Sequence, residues 1–332
     1  MKRRIVVLIT VITLISTMAT GCAKINIGIV NDSEGTSKTA AKGGNIGTGT
    51  TPDDEDNDVE VPIVEKTDNP ITIVSHPVSC VVSGKEVSVG SYPEILLSED
   101  FKAKYPTILQ EIDELNRTWR DSVKDTVKEY ASYHLKDEYA SEAPYETEIS
   151  VSIIRADEVL FSVLLGYYDF SGGAHPMHST ASVNIDVPTG KVLKLKDVLK
   201  NSEEVPKAIM DELYAAYPEG VEEFESYAFL EEGQTTLDQY RTKLEDDTYT
   251  WSILTEGLRI YFSPYEVATY AAGHLEVLLP FDRYPDMVKS EYIPEKDLDK
   301  ESFVTIAEAE KEIIELTEQA YEHEAEVITD PN

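Results

Sequence analysis

Cysteine is almost absent from this chain. Of 332 residues only Cys22 and Cys80 carry a thiol, so no disulfide framework can staple the fold and packing must hold it. Cys80 lies in the apolar stretch Val78-Ser79-Cys80-Val81-Val82. With no basic neighbour in sequence to lower its pKa, it reads as a small buried hydrophobe rather than a nucleophile. Basic side chains are also scarce: 29 Lys and Arg face 63 Asp and Glu, a formal charge of −34. Such a surface repels nucleic acid and anionic lipid and favours cationic partners. Long apolar runs are missing as well. The longest, Ile5 to Met18, falls short of the about 20 residues that cross a bilayer.

That short run has the flanks of an export signal. Lys2, Arg3 and Arg4 precede it, and Ala19-Thr20-Gly21-Cys22 closes it with small residues before a thiol. A basic head, an apolar middle and a small-residue cleft site describe a leader peptide. Residues 1–21 are thus expected to be removed and Cys22 to take a diacylglyceryl group, because the segment resembles a bacterial lipoprotein signal. Ala19 stands where such signals prefer Leu. Two acyl chains on one cysteine anchor stably where one binds marginally. The expected location is extracytoplasmic, lipid-anchored to the outer face of the bacterial cell membrane, the membrane being met only through Cys22. Removal of the leader takes three basic residues with it and makes the remainder more acidic still.

Residues 22–69 are expected to form a linker. They are poor in aromatics, contain Gly43-Gly44-Asn45-Ile46-Gly47-Thr48-Gly49-Thr50, and carry the acidic run from Asp53 to Asp58. Such a composition buries too little apolar surface to offset its ordering entropy, and as a coil it would reach roughly 40 Å. The acidic run lacks the glycine turn and terminal Glu of a calcium loop.

Beyond it, roughly 260 residues are ample for one or two domains. A small α+β domain is expected over residues 70–144. Its strands are Ile71–Val74 and the pair Val81-Val82 and Val87–Val89 around Gly84. A helix follows, with Ile108, Ile112, Leu115, Trp119, Val123, Val127 and Tyr130 at steps of three and four. Residues 145–295 read as a larger domain. Its meander comprises Ile149–Ile153, Val159–Tyr168 and Ser179–Val187, with turns at Arg155–Glu158 and Pro188–Lys191. Helices are expected over 203–217 and part of 233–244, and strands over 251–262 and 274–280. Residues 296–332 are expected to be an acidic helix and tail, the helix running from about Thr305 to Ala325 on the stripe Ile306, Ala309, Ile313, Leu316 and Ala320. Strands followed by helices without a βαβ rhythm define α+β, here an antiparallel sheet packed with helices in two parts.

Two segments carry a resemblance. The first is Gly166-Tyr167-Tyr168-Asp169-Phe170-Ser171-Gly172-Gly173-Ala174-His175-Pro176, followed by Asn184-Ile185-Asp186 and Thr189-Gly190-Lys191. The second runs from Trp251 to Phe262 and on through Ser263-Pro264-Tyr265-Glu266-Val267-Ala268-Thr269-Tyr270-Ala271-Ala272-Gly273. Together, over about Tyr145 to Tyr284, they resemble the extracytoplasmic domain of RsiV-type anti-sigma factors, which also precedes the catalytic domain of PdaC-type peptidoglycan deacetylases. Ser91–Ile95 and the Asn116 helix resemble the companion domain of the same proteins. The best understood member of the family is a lysozyme receptor, so the resemblance implies binding of a basic protein or of the wall. The sigma-binding segment and membrane helix of the RsiV type, and the metal-binding catalytic domain of the PdaC type, find no counterpart in the sequence.

The expected function is therefore a non-catalytic, surface-anchored binding module for a cationic extracellular protein such as lysozyme. A peptidoglycan-binding accessory protein is the alternative, and a metal-dependent hydrolase the third. The expected ligand-binding residues are Tyr168, Asp169, Phe170, Gly172, Gly173, His175, Tyr265 and Glu266, because Tyr and Phe bury large area at low entropy cost. No catalytic residue, metal or cofactor is expected. His175, His178, Asp169 and Glu266 are the conceivable metal ligands, but the glycines argue against the helix of a zinc protease. Asp169 and Glu266 are also the conceivable carboxylate pair of a glycosidase. Ser263-Pro264-Tyr265-Glu266 fits a capped helix start.

Overall fold

A computed structural model of the chain describes residues 69–136, 143–228, 230 and 232–316, all within one compact unit, Val64–Asn332. The expected leader with Cys22 and the expected linker, up to Asp68, lie outside the described residues. The chain is α+β, built from an eight-stranded and a three-stranded sheet with helices on each.

The first hairpin joins β1 (Ile71–Val82) to β2 (Lys85–Leu97), turning at Ser83 and Gly84, both with positive φ. Ser98 then caps α1 (Glu99–Lys104), its hydroxyl accepting from the Phe101 N–H at 3.2 Å. The long helix α2 (Leu109–Lys136) buries the expected stripe, from Ile112 and Trp119 to Val127 and on to Ala131. It packs close to the sheet because β2 offers Gly90. A Cβ there would come within 2.8 Å of the Thr147 carbonyl and of Val127.

A meander follows: β3 (Tyr145–Ala156), β4 (Leu160–Phe170) and β5 (Met177–Asp186), each antiparallel to the next, with the short β6 (Lys191–Val192) at the edge. The β3–β4 turn is set by Asp157, whose Oδ1 accepts from the Val159 and Leu160 N–H groups at 2.8 Å. The meander joins the hairpin through a parallel β2–β3 ladder. Residues of β1, β2, α2 and β3–β5 therefore share one apolar core.

The second core lies around β7 (Thr250–Leu254), β8 (Gly257–Phe262) and β9 (Leu275–Pro280), an antiparallel sheet. Helices α3 (Val205–Ala216), α4 (Val221–Tyr227) and α5 (Thr236–Glu245) contribute to it, as does the single turn Leu195–Val198. The two sheets meet along β5 through side chains rather than a backbone ladder. Asn184, 1% exposed, accepts from the Ser162 hydroxyl at 2.6 Å and donates to the Trp251 carbonyl at 3.1 Å. Ser182 Oγ accepts from the Trp251 N–H at 2.9 Å, and Thr250 donates to the Thr180 carbonyl.

Two expectations are corrected. The C-terminal segment is not helical from Thr305: it forms β10 (Val304–Glu308) and β11 (Glu312–Leu316), both parallel to β1. The β-branched residues and the free edge of β1 outweigh the helical spacing, and Ile306 and Ile313 of that supposed apolar stripe are 70% and 61% exposed. Residues 317–325 of the expected helix lie outside the described residues. The sheet is also mixed, since the β1–β10, β1–β11 and β2–β3 ladders are parallel. Among the described residues no helix is long and apolar enough to cross a membrane.

Replacing Asn184 by Ala strands the Ser162 hydroxyl and the Trp251 carbonyl in the interior. It is expected to cost about 3 kcal/mol in urea unfolding. Trp119 and Trp251 report one core each, and a loss below about 0.5 kcal/mol would refute the importance of this joint.

Candidate functional site

Strand alternation divides the first motif between two faces. Asp169 points toward α2, where its Oδ1 accepts from the Thr147 hydroxyl at 2.6 Å and from the Tyr130 phenol at 3.2 Å. Burial pushes the Asp169 carboxyl above its ordinary range, against those two hydrogen bonds. Tyr167 shares that face, and burial followed by the Asp169 charge pushes its phenol up to about 12. Tyr168 and Phe170 take the opposite face, beside their cross-strand partners Glu148 and Glu146. The Tyr168 phenol is raised by burial and then by Glu146, to which it hydrogen-bonds, and by Glu148.

The loop after β4 depends on two glycines in the left-handed region, Gly172 at φ +89° and Gly173 at φ +101°. Any other residue would be strained there, and a Cβ on Gly172 would lie 3.2 Å from the Tyr145 hydroxyl. The loop delivers His175 onto Tyr270, the rings stacked with centroids 3.9 Å apart. The Pro176 carbonyl fixes the pair, accepting from the Tyr270 hydroxyl at 2.9 Å and lying 2.9 Å from His175 Nδ1. Tyr265 lies 5.6 Å from Tyr270, 42% exposed and held at φ +67°. Next along β5, His178 meets the Tyr168 ring edge-on at 5.1 Å and His274 at 6.3 Å. Burial and then the nearby His178 lower the His274 pKa, with Glu266 opposing.

The Ser-Pro-Tyr-Glu segment is a turn, not the expected helix start. Positive φ at Tyr265 breaks helical geometry. Glu266 still reaches back to accept from the Ser263 N–H at 2.7 Å, but its other oxygen pairs with Lys243 at 2.7 Å. Ser263 Oγ is spent on the Thr180 N–H at 2.9 Å, tying this turn to β5. Glu223 pins the far end of the loop, accepting from the Thr269 N–H and hydroxyl; these bonds hold its carboxyl below the usual range.

Of the expected site residues, Tyr168, His175 and Tyr265 come together with Tyr270, His178 and His274 around one edge of β5. Phe170 follows Tyr168 on the same sheet face. Asp169 is turned away against α2 and Glu266 is engaged in its turn, so His175, His178, Asp169 and Glu266 do not converge. Among the described residues no three His, Cys, Asp or Glu side chains gather at metal-binding distance. Glu146 and Glu148 were missed. Their signal was present, because Tyr145-Glu146-Thr147-Glu148-Ile149 alternates and places both acids on one face. They open onto a groove of about 490 Å³ whose other acidic walls are Glu86 and Glu308, with Lys311 paired to Glu86.

Comparison with known proteins gives two partial matches. Residues 97–178 match the family model described as deacetylase PdaC, and residues 196–282 match the model of a protein of unknown function, DUF3298. The pair fits the PdaC-associated part of the resemblance drawn from the motifs. No curated protein matches the chain. Solved structures that resemble it include a DUF3298 family protein from Pseudomonas aeruginosa PAO1, 18% identical. That similarity covers 69% of this chain and 98% of that one, with a TM-score of 0.46. A DUF3298 member from Bacteroides fragilis NCTC 9343 is 16% identical over 67% of this chain and 96% of that one, with a TM-score of 0.45.

Two outcomes follow from this geometry. The native Asp169 carboxyl binds its proton more tightly than the unfolded one. Its contribution is thus fully present below the unfolded pKa and lost as pH rises through the native one. Asp169→Asn keeps an oxygen for Thr147 and Tyr130, so the variant should show a flatter decline of stability above about pH 4 in a pH series of urea melts; an unchanged slope would refute this. Tyr265→Gly removes the strain of a side chain at positive φ and should leave the melting temperature equal or raised, by up to about 1 kcal/mol of stability. A clear loss would mean that Tyr265 packs for stability.

Proposed function

We propose that this chain is a non-catalytic binding module for a cationic protein, with lysozyme as the representative partner, displayed outside the cell on a lipid at Cys22. The observation that carries this reading is the face formed by Glu146, Glu148 and Tyr168, continuous with the acid-walled groove. No basic side chain among the described residues pairs with either glutamate, so their charge is available to a partner. Tyr168 supplies flat area beside it, suited to the aliphatic stem and charged head of Lys or Arg. The overall charge of −34 adds long-range attraction. Nucleic acid is disfavoured by the same field.

A peptidoglycan-binding accessory role is the second reading. It is favoured by the stacked His175–Tyr270 pair and the exposed Tyr265, a ring platform of the kind a sugar face packs on. The metal-dependent hydrolase ranks last. The deacetylase name belongs to the matched family model, and the candidate ligands here are spread over separate partners.

The test is calorimetric titration of the purified chain with lysozyme at low salt and at about 0.5 M, where charges are screened within about 5 Å. Saturable binding that weakens but persists in high salt is expected. It should fall about 10- to 30-fold in Tyr168→Ala, the range of a well-packed aromatic anchor. The double variant Glu146→Gln/Glu148→Gln should lose most of the salt dependence. Binding confined to low salt, or indifferent to Tyr168, would sink the lysozyme reading, and retention on purified cell wall would then support the second.

A further inference from the structure

The chain supplies its own arginine to one constellation of two glutamates and a tyrosine. Arg259 of β8 reaches Glu256 through Nη2 and Glu276 through Nη1, the latter at 3.2 Å. Tyr261, two residues along the same strand, stands directly opposite Glu276 of β9 and feels all three charges. A second constellation of this kind contains no arginine. Tyr168 stands directly opposite Glu148 of β3, as Tyr261 stands opposite Glu276. Its phenol donates to Glu146, two residues before Glu148 on the same strand face. The position that corresponds to Arg259, two residues before Tyr168 on β4, is Gly166. Its cross-strand neighbour is the small Ser150, whose Oγ is the one described atom that a Cβ on Gly166 would meet within 4 Å. On the other side, His178 of β5 meets the Tyr168 ring edge-on at 5.1 Å. Among the described residues no cation pairs with Glu146 or Glu148.

The second constellation calls for one kind of cation. An ammonium is a compact point charge, whereas a planar guanidinium stacks on a ring and sends N–H donors to acceptors on separate edges. Arg259 shows that division of donors between two glutamates within this same fold. We propose that Glu146, Tyr168 and Glu148 form a seat for an arginine side chain of the partner, selected over lysine. The inference rests on the cationic-partner reading above and narrows it to one side chain. The guanidinium stacks on Tyr168 and donates to Glu148 and Glu146, and the low floor of Gly166 and Ser150 leaves room for its stem. Glycine at 166 has a purpose on this account, since a longer side chain there would take the place of the partner's.

The test titrates the full purified chain with two matched peptides, one with arginine and one with lysine at alternate positions and glycine between. Salt is held at about 0.15 M, where charges beyond about 8 Å are screened. The arginine peptide is expected to bind at least about fivefold tighter, the scale of one guanidinium–ring contact. Tyr168→Leu should erase that preference. Gly166→Arg, placed as Arg259 is placed to Glu276, should fill the seat from within and lose most of the arginine-peptide binding at an unchanged melting temperature. Should that variant fold less well, Glu148→Gln gives the same loss without added bulk, and Glu158→Gln, at the β3–β4 turn, removes an equal charge without it. Equal affinity for the two peptides, no binding of either, or a preference that survives Tyr168→Leu would overturn the proposal. Peptides that tie while lysozyme still binds through Tyr168 would remove the arginine seat and leave the binding module standing. A preferred arginine peptide with no lysozyme binding would keep the seat and remove lysozyme as the partner.

Discussion

The structure turns on a small buried polar joint. Ser162, Ser182 and Asn184 lie where an all-apolar strand would be expected, and they stand in for a backbone ladder between the two sheets. A buried hydrogen bond contributes only about 1 kcal/mol net, but a buried group left without its partner costs about 1–3 kcal/mol. The joint therefore acts less by attraction than by penalising every other placement of β7 against β5. Thr180 and Ser263 extend it to the turn before Tyr265. Through that turn the loop bearing Tyr265, Tyr270 and His274 is brought over the strand that bears His178. The ring cluster is a consequence of how the sheets are registered.

Most of the local architecture could be read from the chain because it is governed by local rules. Gly84 marks the first hairpin, Asp157 and Gly190 mark turns, and the α2 stripe from Ile112 to Val127 repeats at helical spacing. The C-terminal strands could not be read in this way. Their partner, β1, lies more than 200 residues earlier, and parallel pairing leaves no turn signal. Their sequence happens to space Ile306, Ala309, Ile313 and Leu316 as a helix would. The β-branched run Val304-Thr305-Ile306 was the contrary signal, and tertiary pairing decided in its favour.

The site was legible in its parts and not in its assembly. Consecutive residues of a strand face opposite ways, so Tyr168 and Asp169, adjacent in the motif, serve different purposes. One meets Glu146 on the open face, and the other is sealed against Tyr130. Glu266 matched a capping box in sequence and keeps half of that role, accepting from Ser263, yet φ at Tyr265 stops a helix from starting. Positive φ at a non-glycine residue is set by surrounding contacts and has no sequence signature.

The distribution of charge bears on what the molecule does with its acidity. Several glutamates are neutralised locally: Glu266 by Lys243, Glu86 by Lys311, Glu312 by Lys124, Glu212 by Arg283. With so few cations in the chain, these four each tie one element to another or close a turn. Among the described residues no cation pairs with Glu146 or Glu148, although they sit two residues apart on one strand face, where like charges repel. A pair of uncompensated carboxylates beside Tyr168 weakens the free protein slightly and rewards any cation that arrives. The Tyr265 backbone has the same character, a local cost held in place by Glu266, Glu223 and Tyr270 around it. Both costs fall on the same side of β5, where the rings are exposed. That coincidence of unrelieved charge, backbone strain and open aromatic surface is what the proposed binding role would require, and packing alone does not call for it.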